Sequence, residues 1–221
     1  LPQTPTAHAE VAQYYQSISR IDQGLGRLME VLKDAGKWND TMVLYGSDHG
    51  IAMPGAKTTL YEGGMRVPLI VRDPRAKKTG ITNDAMISWV DLTPTVLDAA
   101  EALDRDSGRV KADIVAKIPE NKLRTDPQNN RQYRKGTFHG RSFLPILEQE
   151  HPKGWDEVYA SHTFHEITMY YPMRVVRERQ YKLIWNIAPP LPYPFASDLW
   201  AAPTWQAQYK QGMDAQYGPR T

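Results

Sequence analysis

Two adjacent residues, Asp48 and His49, follow a short apolar run and are well suited to chemistry. A carboxylate is a hard oxygen ligand for calcium or magnesium. A neighbouring imidazole can complete a metal shell, donate to an anionic oxygen or move a proton. The tripeptide Asp-His-Gly also occurs in ordinary turns. The pair alone therefore allows two interpretations, a reactive metal-binding corner or a plain loop.

A cation follows at Lys57, eight positions beyond His49, within a loop over residues 46–64 that contains five glycines. A loop of this length is uncommon as a mere connection. An ammonium group placed there can reach the same anion that a metal at the preceding pair would hold. By itself Lys57 would be a surface lysine, so its importance depends on the surrounding sequence.

A second polar group consists of His162, His165 and Glu166. Metalloprotease zinc sites place two histidines four positions apart on a helix, whereas these two are three apart beside β-like residues. The spacing disfavours zinc and favours a structural role for at least one histidine. The carboxylate of Glu166 can accept hydrogen bonds from several donors at once, which suits recognition of a polar ligand.

The elements that position the first pair form a helix, turn and strand. Apolar residues recur every three or four positions over residues 9–35, which predicts a helix that Gly36 ends. Residues 41–45 and 67–71 are apolar runs of the kind that is buried on both faces of a central sheet. Such α/β sheets present reactive groups at the carboxyl ends of their strands, where the pair stands.

The later elements are shorter. The patterns predict a strand at 86–88 and then a helix that begins near Asp91 or Thr93, with Pro94 in its first turn. A surface excursion at 104–137 and a packing element at 140–147 should follow. The last elements are strands at 158–161, 174–177 and 181–185 and a loop at 188–195. The last two strands are joined by a link of hairpin length and should be antiparallel. Proline lacks the amide donor of a strand, so the proline-rich run 188–195 must be a pinned loop.

The bulk composition excludes several classes of protein. With 221 residues, 41% of them hydrophobic and 24% charged, the chain has the composition of one or two globular domains. A net charge of +2 with scattered Lys and Arg gives no support for nucleic-acid binding. No window approaches the ~18 apolar residues of a membrane span, and the first residues lack the layout of a signal peptide. The absence of cysteine excludes disulfides, thiolate catalysis and cysteine-based zinc sites.

One string changes the balance between the two interpretations of the pair. Ser47-Asp48-His49-Gly50, followed by Lys57-Thr58-Thr59-Leu60-Tyr61-Glu62-Gly63-Gly64-Met65-Arg66-Val67-Pro68, resembles the type I sulfatases of the alkaline phosphatase superfamily. Segments 21–28, 39–41, 91–97 and 140–145 are similar to further landmarks of that family. The resemblance covers most of residues 10–186.

The resemblance implies an α/β fold, namely the C-terminal portion of an alkaline-phosphatase-like sandwich whose central mixed sheet is flanked by helices. On this interpretation residues 1–150 are the C-terminal part of the sulfatase α/β domain. Residues 151–221 hold the last core strand and the start of a small antiparallel β subdomain.

The resemblance also implies the site chemistry. A divalent metal, in this family usually calcium, is held by two acidic residues near the family's N-terminus together with the positions of Asp48 and His49. The lysine that matches Lys57 contacts the sulfate, so Lys57 and His49 are the expected catalytic residues. The nucleophile is a formylglycine hydrate made from a Cys/Ser-x-Pro-x-Arg motif. That motif is absent from these 221 residues, so we expect the chain to be a C-terminal fragment that is inactive alone.

A second stretch indicates which branch of the family the chain resembles. Residues 161–174 are similar to the heparan N-sulfatase branch of the family. This similarity predicts substrate binding by Lys57, His165, Glu166 and Arg174, with Glu166 recognising sugar hydroxyl or amino groups. The sequence departs from human-type members of that branch, which have Asn and Arg at the positions of His49 and Lys57.

The expected function is hydrolysis of sulfate esters or N-sulfate groups of sulfated amino sugars or glycosaminoglycans. One alternative keeps the fold and transfers phosphoryl groups, as phosphodiesterases and phosphonate hydrolases do. Another is a noncatalytic sugar-binding or assembly module. We expect no nucleic acid and no membrane span. An exposed strand edge would invite self-association or a complementary N-terminal chain. The resemblance implies a periplasmic, extracellular or lysosomal location for the intact protein, although no targeting segment is found in the chain.

Overall fold

The computed structural model describes residues 2–117, 138–166 and 169–212. The chain divides into two units. The first comprises Leu1–Pro74, Ala160–Val176 and Lys182–Thr221, and the second comprises Arg75–Tyr159 and Arg177–Tyr181. All of the residues predicted to form the site fall in the first unit. The division predicted at residue 150 stays a prediction.

The first unit begins with the long helix α1, Pro5–Asp34. Thr4 caps it by accepting a hydrogen bond from the Ala7 amide, and Pro5 takes the first position, where no amide donor is needed. Gly36, at φ 66°, follows the helix end, as predicted. Most of its apolar stripe is exposed in the described structure, including Tyr15, Ile21 and Val31. The periodic pattern predicted the helix correctly, but it does not reveal what covers that stripe.

Strands β1, Val43–Gly46, and β2, Leu69–Arg72, form an antiparallel pair in which Tyr45 faces Ile70. The prediction that these runs are buried on both faces is wrong for the described structure, since Ile70 is 63% exposed. The sheet has two strands among the described residues, so nothing there covers its outer face. Between the strands lies the loop that carries the predicted site, with a single helical turn, α2, at Glu62–Met65.

The core of the first unit forms where this loop meets a second sheet. Strands β5, Glu157–Phe164, β6, Tyr170–Glu178, and β7, Lys182–Asn186, stand in the order β5-β6-β7. The predicted hairpin between the last two is confirmed, because neighbouring strands joined by so short a link must be antiparallel. Alternate residues of β6 share one face, so Tyr171, Met173 and Val175 pack together with Leu60 from the loop. The loop is thereby fixed onto the sheet.

The second unit is built around helix α3, Leu92–Ala99. The buried Thr95 hydroxyl donates to the Asp91 carbonyl at 2.6 Å and accepts from the Phe143 amide at 3.1 Å. This contact confirms the predicted packing element at 140–147, which contains a 3-10 turn at Leu144–Ile146. The strand predicted at 86–88 is wrong. The Met86 amide donates to the Trp155 carbonyl and the Ser88 carbonyl accepts from the Asp91 amide, but the segment forms no strand ladder.

The predicted excursion at 104–137 is described only as far as residue 117, and residues 118–137 lie outside the described part of the chain. Its described portion is largely exposed, as expected. Strands β3, Leu103–Asp104, and β4, Arg109–Val110, form a small hairpin there, followed by helix α4, Ala112–Ala116.

Helices and small sheets agree with the predicted α/β class, while the sandwich with a central mixed sheet stays a prediction. No helix in the described ranges combines the length and the apolar character needed to cross a membrane.

Gly50 is required by a close backbone approach, and its replacement tests the loop. A Cβ atom on Gly50 would lie 1.7 Å from the Gly63 carbonyl oxygen, far inside any non-bonded contact. We expect Gly50→Ala to lower the free energy of unfolding by about 1–3 kcal/mol, as overpacking does. Gly26→Ala is the matched control. Gly26 lies in α1 with open space around it, so alanine there should stabilise by up to about 1 kcal/mol. Equal urea midpoints for Gly50→Ala and the parent protein would contradict the close approach of Gly50 to the Gly63 carbonyl.

Candidate functional site

The Asp48-His49 corner forms where β1 ends. The Ser47 hydroxyl donates to the His49 carbonyl at 2.7 Å, and the Ser47 amide donates to the Pro68 carbonyl at 3.3 Å, which ties the turn to β2. The Asp48 side chain is 85% exposed. Its Oδ2 lies 3.6 Å from Nε2 of His49. The corner therefore presents a carboxylate and an imidazole side by side to solvent.

This donor set fits a divalent cation in part. Nδ1 of His49 lies 2.8 Å from the Gly50 carbonyl, so it carries the hydrogen in that bond and leaves the Nε2 lone pair available to a metal. Asp48 adds hard carboxylate oxygens. Calcium takes about six to eight donors, so these two residues can form only one side of its shell.

Lys57 lies in the same loop, and the structure gives it a partner that the sequence did not reveal. Its amide donates to the Ile51 carbonyl at 3.1 Å, which closes the loop behind the corner. Its ammonium donates to the Asp198 carboxylate, and the Lys57 side chain is only 16% exposed. The hydrogen bond from Lys57 is the main reason that the pKa of Asp198 lies below its ordinary value of 3.8. The contribution of this pair to stability is therefore complete above pH 3.8 and is lost as the pH falls through the lower folded-state pKa.

The backbone around Lys57 is strained and is held by two other segments. Thr58 has φ 67°, an unfavourable angle for a β-branched residue. The Tyr193 hydroxyl donates to the Thr58 carbonyl at 2.9 Å, and its ring packs edge-on against Tyr171 at 5.1 Å. Burial raises the pKa of Tyr193. Lys182 donates to the Leu60 carbonyl at 2.9 Å. The proline-rich segment is thus held in place, as predicted. Through the Tyr193 hydroxyl it also holds the loop that carries Lys57.

Asp198 also brings in the second predicted group. One ligand atom from each of His165, Glu166 and Asp198 lies within 4.8 Å of the others. The Ser197 hydroxyl donates to Oε1 of Glu166 at 2.7 Å, and Nε2 of His165 lies 3.8 Å from the same oxygen. We call Lys57, His165, Glu166 and Asp198 the polar cluster. Segments more than 100 residues apart in the chain meet in it.

Other candidate residues lie elsewhere in the described structure. Nη1 of the exposed Arg174 donates to the carbonyl of Met173 at 2.9 Å and to that of His162 at 3.5 Å, so its contacts join strands β6 and β5. Nδ1 of His162 lies 3.1 Å from the Tyr171 carbonyl, which gives this histidine a structural contact between strands. The described contacts of the Asp48 and His49 side chains remain within their own loop.

Sequence reasoning missed three functional contacts, those of Asp198, Ser197 and Tyr193. Lys57 and Asp198 are separated by 141 positions, and no local pattern links them. One available signal was that Asp198 follows the proline-rich run, which had to be pinned to something. A pinned loop predicts a partner but does not say which one.

Comparisons with known proteins bear on the family of this chain. Residues 2–102 match the family model described as Sulfatase. Residues 2–102 belong to the sulfatase family. Human N-sulphoglucosamine sulphohydrolase is 37% identical over 209 residues, which covers 93% of this chain and 37% of that protein. The sulfatase resemblance seen in the sequence is thereby confirmed.

Two bacterial sulfatases match over shorter stretches. An N-acetylglucosamine-6-O-sulfatase of Bacteroides thetaiotaomicron is 36% identical over 91 residues, covering 39% of this chain and 16% of that protein. An arylsulfatase of Clostridium perfringens is 39% identical over 104 residues, covering 43% of this chain and 21% of that protein. The chain thus spans well under half the length of each of these sulfatases.

Proposed function

We propose that this chain forms one wall of the active site of a sulfatase that hydrolyses sulfate esters or N-sulfate groups of sulfated amino sugars. The observation that carries the proposal is the convergence of Lys57 with His165 and Glu166 through Asp198. Lys57 and the His165-Glu166 pair come from the two stretches whose sequences resemble sulfatases. The names of the human and Bacteroides relatives, which specify sulfated glucosamines, support the substrate class.

The charges of the polar cluster indicate how it can bind such a substrate. One ammonium and two carboxylates leave the cluster net negative when His165 is neutral, so it does not suit a free sulfate ion. A sulfated amino sugar offers hydroxyl and amino donors as well as the anion. In this proposal Glu166 and His165 bind those donors, and Lys57 donates to a sulfuryl oxygen and stabilises the charge that develops there. Arg174 is proposed as a further substrate contact.

The Asp48-His49 corner is proposed to hold the divalent cation, calcium by family resemblance. When bound, the cation supplies positive charge that polarises the sulfuryl oxygens and offsets the negative polar cluster. His49 serves as a ligand through Nε2 or, when both ring nitrogens are protonated, as a donor to a sulfuryl oxygen. The 221 residues contain neither cysteine nor a Ser-x-Pro-x-Arg motif, so the formylglycine of this proposal lies outside them and the chain alone is inactive.

Three further parts of the proposal follow from the resemblance. Residues 1–150 belong to the α/β domain and residues 151–221 begin a small antiparallel subdomain. The intact protein acts in the periplasm, outside the cell or in the lysosome. Self-association, or pairing with a complementary N-terminal chain, covers the apolar stripe of α1 and the exposed outer face of the β1–β2 sheet.

Substrate tests on the full-length protein separate the three functions. We expect sulfate release from N-sulfoglucosamine or 6-O-sulfated glucosamine, measured by ion chromatography, and no release of the phenol from an aryl phosphodiester. Phenol release without sulfate release would select the phosphodiesterase alternative. Binding of the sugars without release of sulfate or phenol would select the noncatalytic module. The 221-residue chain, assayed alone, serves as the control, and turnover by it would contradict the expectation that the nucleophile lies elsewhere.

A further inference from the structure

Asp198 sits on a rigid support. It lies in the first turn of helix α5, Ser197–Ala201, between two buried residues. Ala196 is fully buried, Leu199 is 3% exposed, and both pack with Met169 in one apolar cluster. The Oδ1 atom of Asp198 accepts from the Leu199 amide at 2.9 Å, which fixes the orientation of the carboxylate. Its other oxygen is left for Lys57.

The Lys57 side chain is only 16% exposed, and the partner of its ammonium in the described structure is Asp198. The ammonium stands on a flexible four-carbon stem, so this contact fixes where its charge lies. The backbone of the loop is fixed by Tyr193 and Lys182, but neither contacts the ammonium in the described structure. The nearby Glu166 accepts from the Ser197 hydroxyl. Asp198 is therefore the group that determines where the Lys57 charge stands.

We propose that Asp198 is a positioning residue that holds the Lys57 ammonium at the edge of the polar cluster, ready for a sulfuryl oxygen. This inference rests on the proposed function, because it assigns Asp198 a role through Lys57. It predicts a specific division of effects. The loss of Asp198 frees the ammonium and lowers kcat. It also removes a negative charge that repels the substrate, so an anionic substrate should bind no more weakly.

Kinetics of the full-length protein test the role. We expect Asp198→Asn to lower kcat about tenfold or more, as misplacement of a catalytic group does, with KM unchanged or lower. Asp198→Glu, which keeps the charge, should recover part of kcat. In a Lys57→Ala background, Asp198→Asn should have no further effect on kcat, since residues that act as a unit are not additive. An unchanged kcat in Asp198→Asn, or an equal loss in both backgrounds, would overturn the proposal.

A second measurement does not depend on catalysis. Acylation of Lys57 by an amine-reactive reagent, followed by peptide mass spectrometry, should be faster in Asp198→Asn than in the parent protein. The matched control is Asp113→Asn, which removes a different aspartate–lysine pair, that of the exposed Lys117. It should leave both Lys57 labelling and kcat unchanged. If the parent protein releases no sulfate from any sulfated sugar, the proposed function fails. In that case labelling still decides whether Asp198 holds the Lys57 ammonium, and an equal rate at Lys57 in both proteins refutes that contact.

Discussion

We expect Lys57→Ala in the full-length protein to lower turnover of a sulfated amino sugar by about 100-fold or more. A single hydrogen-bond donor that stabilises the negative charge of the transition state commonly contributes that much. The structure adds a reason for a large effect. Removal of the ammonium leaves the Asp198 and Glu166 carboxylates without the counter-charge of Lys57, so the polar cluster becomes more negative and repels the sulfate more strongly. The measurement is kcat and KM for sulfate release at neutral pH.

Two control variants make this result specific. Lys117→Ala removes a lysine whose side chain is 74% exposed and pairs with Asp113, and it should leave kcat unchanged. Lys57→Arg retains the charge in a different shape and should recover part of the activity. The pKa of Asp198 should also rise towards its ordinary value in Lys57→Ala, because the hydrogen bond from Lys57 is the largest cause of its depression. Full turnover in Lys57→Ala would remove this residue from the site.

Asp48→Asn lowers the affinity of the full-length protein for a divalent cation by about 100-fold or more, since even residues that only support metal ligands contribute about 10–100-fold. The reason is the loss of one full negative charge from an exposed corner whose other donor is a neutral imidazole nitrogen. Calorimetric titration with calcium gives the affinity, and elemental analysis gives the bound metal. Sulfate release should fall in parallel and should stop when a chelator is added.

Asp113→Asn again supplies the comparison, because it removes an exposed carboxylate of the second unit and should leave calcium affinity unchanged. His49→Ala should weaken binding less than Asp48→Asn, since it removes a neutral donor instead of a charge. If Asp48→Asn retains its full metal content and affinity, the corner is not part of the metal site, and the plain-loop interpretation of the Asp-His-Gly turn gains support.

Local patterns predicted the elements that depend on local physics. Helix α1 followed from apolar spacing and Gly36, and the β6–β7 hairpin followed from two β-rich runs and a short link. Burial was a different matter. The run 41–45 is apolar enough for a buried strand, yet β1 and β2 are only half-covered, because coverage depends on neighbouring strands that the pattern does not specify.

The amino-acid sequence by itself indicated the kind of chemistry to expect, since Asp48, His49 and Lys57 stand in a string similar to those of sulfatases. Only the tertiary structure decided which residues act together. It joined Lys57 to Asp198 across 141 positions and placed His165 and Glu166 beside them. The physical reason is that residue type and spacing report on what a side chain can do. The position of a side chain's charge depends on its partner, and the packing of a distant segment places that partner. Here the buried residues that flank Asp198 hold it beside Lys57.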